Sequence, residues 1–362
     1  MDHRRGRRPF PRPFRRRAAT STVLLILAAS GAYGAIHSIG GWSATSRASL
    51  PAPAASETPE DDIGAFVDPT SPLTPAAAEA AQRPTPPVGP SITIPVLLYH
   101  YVRVNPVASD QVGFELSVTP PNFAAQMAFL QWAGVHTVSL GDVLQALRTH
   151  RPLPPRSVVL TFDDGYADFA RVAAPVMQHD GLHGTVFVVS GFVGRNGYMN
   201  ATQVREVEEM GMVIGCHTVN HVDLAAAPLS VARTQIDVAH QQLRALTGQP
   251  VLDFAYPYGG FNAAVEGLVA ADGFRDAVTT EPGAVLSLAQ PFAWPRYRVG
   301  GHDTLLSFAH KALFGMSGPR VDALVHSYLA SPAAALATRA LPTPPGATAM
   351  GDPQGEDSRR YL

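Results

Sequence analysis

Ser157-Val158-Val159-Leu160-Thr161-Phe162-Asp163-Asp164-Gly165-Tyr166 is the stretch on which the reading of this chain turns. Its first six residues are apolar or β-branched with little polar alternation, which predicts a strand buried on both faces. The Asp-Asp-Gly that follows ends the strand and opens a helix running towards Met177, so two carboxylates stand at the strand's C-terminal end. Asp-Asp-Gly is also ordinary turn chemistry, and one Asp of such a pair can simply cap the next helix.

Further short β-rich runs lie at 94–98, 135–138, 184–189, 212–216, 253–256 and 275–279. Between them come helix-length segments at 122–132, 141–148 and 231–246, with Ser139 as a cap for the second and Gly248 as a stop for the third. Buried strands alternating with helices require crossover connections and a mostly parallel sheet. The expected class is α/β, either a βα barrel or an open doubly wound sheet, with its chemistry where strands end and loops begin.

Three further stretches fall at such ends. His217-Thr218-Val219-Asn220-His221 follows the strand at 212–216, and a spacing of four turns both imidazoles to one point if the segment is helical. Taken alone, such a pair is more often surface or core than ligand. Combined with a carboxylate from Asp163-Asp164 it supplies two-His-one-carboxylate ligation with open positions for water and substrate. The spare carboxylate is then a base for an activated water. Phe254-Ala255-Tyr256-Pro257-Tyr258-Gly259-Gly260 is a Pro/Gly turn that can aim backbone N–H groups into the site, and His100 ends the first strand on the same rim.

The 362 residues contain a single cysteine, Cys216, which excludes an intramolecular disulfide and any multi-cysteine metal site, so a metal must be held by His, Asp or Glu. Cys216 itself reads as a small buried hydrophobe pointing away from His217. The net charge of −2 hides an asymmetry: residues 1–17 hold eight Arg against one Asp, +7, leaving −9 for the rest. A mildly acidic body makes nucleic acid an unsuitable partner. The basic start and the apolar run beyond it, whose uncharged core is 18–39, mark residues 1–42 as a signal peptide or an uncleaved membrane anchor, with the remainder outside the cell or on its surface. Ten prolines between 51 and 90 make 43–90 a linker. Residues 331–362 read as a disordered tail, which leaves one folded domain at 91–330.

The motifs resemble those of the polysaccharide deacetylases of carbohydrate esterase family 4, the NodB-homology domain. TFDDGY at 161–166 resembles the first motif, His217 and His221 the second, and Tyr256-Pro257-Tyr258-Gly259 the third. IPVLLYHYV from residue 94 and the stretch 117–140 are similar to the subset acting on poly-β-1,6-N-acetylglucosamine. The resemblance implies a distorted (β/α)7 barrel and hydrolysis of N-acetyl groups on an amino-sugar polysaccharide, poly-N-acetylglucosamine or peptidoglycan-type; a monomer is expected. It further implies Asp163 as catalytic base, Asp164, His217 and His221 as ligands of a divalent ion (zinc, with cobalt or nickel as alternatives), and the Tyr258 N–H in the oxyanion hole. Ala255 stands where many members carry Arg, the fourth motif is not evident, and the general acid has no clear counterpart; His302 and His100 are the candidates. A catalytically inactive sugar-binding relative is the alternative reading. A non-haem iron oxygenase shares the ligand set but calls for a β-sandwich pattern that the intervening helices do not give.

Overall fold

The computed structural model describes residues 89–337. The expected export or anchor segment, nearly all of the expected linker and the end of the expected tail lie outside the described residues. Among the described residues, seven parallel strands form the central sheet: β1 (Val96–Tyr99), β2 (Ser157–Phe162), β3 (Thr185–Val188), β4 (Val213–Cys216), β5 (Asp253–Ala255), β6 (Asp276–Val278) and β7 (Tyr297–Arg298). Their spatial order is β6-β5-β4-β3-β2-β1-β7. The sheet curls until Trp294, three residues ahead of β7, makes a parallel bridge to Val278 of β6. The result is a distorted (β/α) barrel whose seam is the 294–298 segment. A short strand at His136–Thr137 pairs with the start of β2, and Ser91–Thr93 pairs antiparallel with Val285–Ser287.

Alternation along the strands sorts side chains into two cores. Leu97 and Tyr99, Leu160 and Phe162, Val186 and Val188, Phe254 and Ala277 face the helices. Their strand neighbours Val96, Val159, Phe187, Ala255 and Val278 join Trp294 in an inner cluster. Burial on both faces is why these strands read as continuous apolar runs.

The flanking helices are α1 (Pro120–Trp132), α2 (Leu140–Thr149), α3 (Ala174–His179), α4 (Ala201–Glu209), α5 (Leu229–Thr247), α6 (Ala263–Ala271), α7 (Leu305–Ala312), α8 (Gly318–Leu329) and α9 (Pro332–Ala337). Ser139 caps α2 in a full capping box with Asp142, and Gly248 ends α5 in the left-handed region at φ 72°. The segment after Asp164 reaches Met177 through a wide π-type turn, Phe169–Ala173, before α3 begins. One boundary needs correction. Residues 332–337, expected in an unstructured tail, form α9: Pro332 starts the helix, the alanines favour it, and Ala333 and Ala334 pack on the core. Among the described residues, no helix is long and apolar enough to cross a membrane.

Candidate active site

β2 delivers the two carboxylates. Asp163 continues the strand, its N–H donating to Tyr99 O at 2.9 Å, and Asp164 turns away at φ 73° with Gly165 at φ 76° behind it. Gly165 is required there, because a Cβ would meet Val188 Cα at 3.3 Å in a backbone region side chains avoid.

β4 delivers the histidines. His217 follows Cys216 directly and is 1% exposed. Its Nδ1 donates to the Ala255 carbonyl oxygen at 2.7 Å, which leaves Nε2 facing Asp164 Oδ1 at 3.4 Å. His221 Nε2 lies 3.2 Å from the same oxygen. The expected helical turn between the two histidines is absent. Thr218 and His221 instead adopt positive φ, 65° and 55°, and this tight turn brings the rings to 4.9 Å. The turn closes through the His221 N–H, which donates to Thr218 Oγ1 at 3.0 Å.

One ligand atom from each of Asp164, His217 and His221 lies within 4.8 Å of the other two. The donor set suits a divalent cation: a carboxylate, and two imidazole Nε2 atoms, one of them oriented by a backbone carbonyl as metal-ligating histidines commonly are. Burial pushes Asp164 up, but the charges of His221 and His217 hold it well below the usual carboxylate range. Burial lowers His221 to about 4, with neighbouring His217 and His100 acting in the same direction against Asp164 and Asp163.

Asp163 has a different partner. Arg296, fully buried on the seam segment, grips it in bidentate fashion: Nη1 donates to Oδ1 at 2.8 Å and Nη2 to Oδ2 at 2.7 Å. Further donors of the same guanidinium are used as well, Nη1 on Thr161 Oγ1 and Nε on the Thr279 carbonyl. Burial alone raises an Asp pKa, yet the Arg296 charge and hydrogen bonds outweigh it and hold Asp163 below the ordinary value. With alanine at 255, the cation on Asp163 in this chain is Arg296. Sequence reasoning missed Arg296 as a functional residue; the signal that could have found it is the missing arginine, since a buried carboxylate needs a cation from somewhere.

His100, at the end of β1, joins the same electrostatic cluster. It is half-buried, with Nδ1 enclosed and lacking a hydrogen-bond partner. Burial lowers its pKa, assisted by Arg298 and Arg296 and opposed by Asp164 and Asp163. His302 lies on the exposed rim, its ring edge-on to Phe114 at 4.9 Å. Tyr258 sits in the left-handed region at φ 59°, its ring 4.6 Å from His221 and its carbonyl accepting from Thr280 Oγ1. Of the aromatics near these loops, Tyr166, Tyr256 and Trp294 are core residues, whereas Tyr258 is 42% exposed. Cys216 packs in the outer core, and burial pushes its thiol up to about 12.

Residues 150–277 match the polysaccharide deacetylase family. A Bacillus subtilis (strain 168) protein provisionally named polysaccharide deacetylase YxkH is 26% identical over 234 residues, 65% of this chain and 76% of that one. The poly-β-1,6-N-acetyl-D-glucosamine N-deacetylase of Escherichia coli K12 is 40% identical over 63 residues, which is 17% of this chain and 9% of that protein. Among solved structures, the Streptococcus pyogenes deacetylase PplD in complex with acetate superposes with a TM-score of 0.57 at 27% identity, covering 61% of this chain and 98% of its own. The chain carries a polysaccharide deacetylase domain of the NodB-homology type, carbohydrate esterase family 4. It is an enzyme of that class, acting on a carbon–nitrogen bond.

Proposed function

We propose that the protein is a metal-dependent N-deacetylase of an amino-sugar polysaccharide, outside the cell or at its surface, releasing acetate from N-acetylglucosamine units. The observation that carries this is the meeting of Asp164, His217 and His221 within 4.8 Å, beside an aspartate that Arg296 keeps ionised. A poly-β-1,6-linked substrate is the first choice, supported by the 63-residue match to the E. coli enzyme of that name. Zinc is the first choice of ion, with cobalt and nickel as alternatives.

Asp164, His217 and His221 would hold the cation, which when bound supplies Lewis-acid polarisation of the acetyl group and a more acidic water. Asp163 accepts the proton of the attacking water at a carboxylate oxygen, while Arg296 fixes the plane of that carboxylate and keeps it anionic between turnovers. The backbone N–H of Tyr258 is assigned to the oxygen that becomes negative as water adds to the carbonyl; loss of one such donor typically costs about 2.7–4 kcal/mol. His100 is assigned the donation of a proton to the leaving amine nitrogen, because its ring lies among the charges of Asp163 and Asp164, which favour its protonated form. His302 on the rim is the second candidate. One water proton goes to Asp163, the other leaves on the acetic acid, which ionises to acetate in solvent, and the nitrogen receives its proton from His100 to leave as the free amine. Asp163 then releases its proton to solvent and His100 takes one up, which restores both for the next turnover.

The test is acetate release by the full chain from β-1,6- and β-1,4-linked N-acetylglucosamine oligomers, with zinc, cobalt or nickel and with EDTA. Metal-dependent release from the β-1,6 series alone is expected. Release from neither series by metal-loaded protein would transfer the case to a sugar-binding relative without activity.

A further inference from the structure

Granted that Asp164, His217 and His221 hold the metal, on which this rests, we infer that Gln235 of α5 is a positioning residue for it, fixing the turn between the two histidines from behind. Gln235 is a buried polar residue, 9% exposed, on the helix that packs beside β4. Its Oε1 accepts two consecutive backbone N–H groups of that turn, Val219 at 3.1 Å and Asn220 at 2.9 Å.

The turn needs such a clamp. Thr218 and His221 both hold positive φ, a region in which residues other than glycine persist only when their surroundings over-determine it. Its carbonyls are tied as well, Thr218 O by the Ser190 N–H at 3.0 Å and Val219 O by the Gly191 N–H at 2.9 Å. Gly191 approaches so closely that a Cβ there would lie 2.5 Å from Val219 O. Two consecutive donors of the turn therefore point at one side chain and two consecutive acceptors at one loop. Residue 235 is the part a single substitution can change without touching a ligand. Relaxation of the turn moves His221 relative to Asp164 while leaving His217, which has its own bond to Ala255, in place.

Zinc affinity of the full chain, measured by competition with a chromophoric chelator, tests this. Gln235→Leu keeps the approximate volume and removes the acceptor, Gln235→Asn withdraws the acceptor by one methylene, and Gln235→Glu retains it. Leu243→Ala, in the core face of the same helix, reports a purely structural loss. The expected result is affinity 10- to 100-fold weaker in both Gln235→Leu and Gln235→Asn, the range typical of groups that orient metal ligands, with Gln235→Glu within about threefold of wild type. The cobalt-loaded absorption spectrum of Gln235→Asn should change shape, whereas that of Leu243→Ala should match wild type. Equal affinity in wild type and Gln235→Asn overturns the inference, and so does an equal loss in Leu243→Ala. A wild type that binds no zinc, cobalt or nickel overturns the metal reading instead.

Discussion

Replacing Arg296 by methionine, an unbranched apolar side chain, leaves Asp163 buried without its counter-charge. Four hydrogen bonds vanish at once: two to Asp163, one to Thr161 Oγ1 and one to the Thr279 carbonyl. Asp163 is itself only 3% exposed, so bulk water replaces little of what is lost. Breaking one side of such a buried pair costs about 3–5 kcal/mol. For a domain of this size each kcal/mol moves the melting temperature by about 2–4 °C, so a fall of roughly 6–20 °C is expected at neutral pH. Linkage gives the sign of the pH dependence. In the wild type Asp163 has a lowered pKa, so its contribution is present above the unfolded value of about 3.9 and is lost as pH falls through the folded value. In Arg296→Met desolvation acts without the arginine to oppose it and raises the pKa, so the variant gains relative to wild type on acidification. Adding Asp163→Asn to Arg296→Met removes the stranded charge and should recover most of the loss. The assay is thermal and urea unfolding of the four proteins of the cycle at pH 5 and pH 8. Additive losses, with no recovery in the double variant, would refute the pairing as the source of the stability.

Asp163→Asn alone should lower turnover by roughly 10²- to 10⁴-fold, the usual contribution of a general base, while metal content measured by emission spectroscopy stays at the wild-type level; loss of the metal as well would place Asp163 among the ligands. His100→Ala should cost far more activity than His302→Ala in the same acetate assay, and the reverse order would move the proton donor to the rim. At the N-terminal ends of β5 and β6, Asp253 and Asp276 stand in register, both fully buried, with Arg275 bridging them, and burial together with their mutual repulsion raises the Asp276 pKa well above the ordinary value. A raised folded pKa means stability present below about pH 3.9 and lost as pH rises through the folded value, so Asp276→Asn should melt higher than wild type at pH 8 and show a flatter pH profile. Cys216 should resist maleimide in the native protein and react in urea; rapid native labelling would contradict its burial.

The strands and their C-terminal carboxylates and histidines are legible in the sequence because each is local: an apolar run sets the strand, and the residues following it inherit its direction. β2 is expected and found at 157–162, and the expected runs at 184–189, 212–216 and 253–256 each contain the strand observed. β7 is not legible. It is two residues long, and Trp294-Pro295-Arg296-Tyr297-Arg298 carries no apolar run, because its role is set by partners on two strands distant in sequence. Arg296 escapes for the same reason, since its contact with Asp163 spans 133 residues. The local conformation of the His217–His221 turn escapes too: a spacing of four suits a helix, and it takes the contacts from Gln235, Ser190 and Gly191 to select the turn with positive φ. The start of α9 is hidden in a Pro- and Ala-rich segment whose composition matches that of linkers.

The seam has a consequence for biosynthesis. The segment that bridges β6 to β1 is also the one that carries Arg296, so the ring closes and the aspartate acquires its counter-ion in the same docking event. A ribosome-bound chain ending before Trp294 already contains Asp163, Asp164, His217 and His221, yet the arginine that neutralises Asp163 has still to be added. Such a chain carries the three residues of the candidate metal cluster and an aspartate still without its counter-ion, and the Arg296–Asp163 pair forms only once the segment 294–298 has been made and has closed the ring.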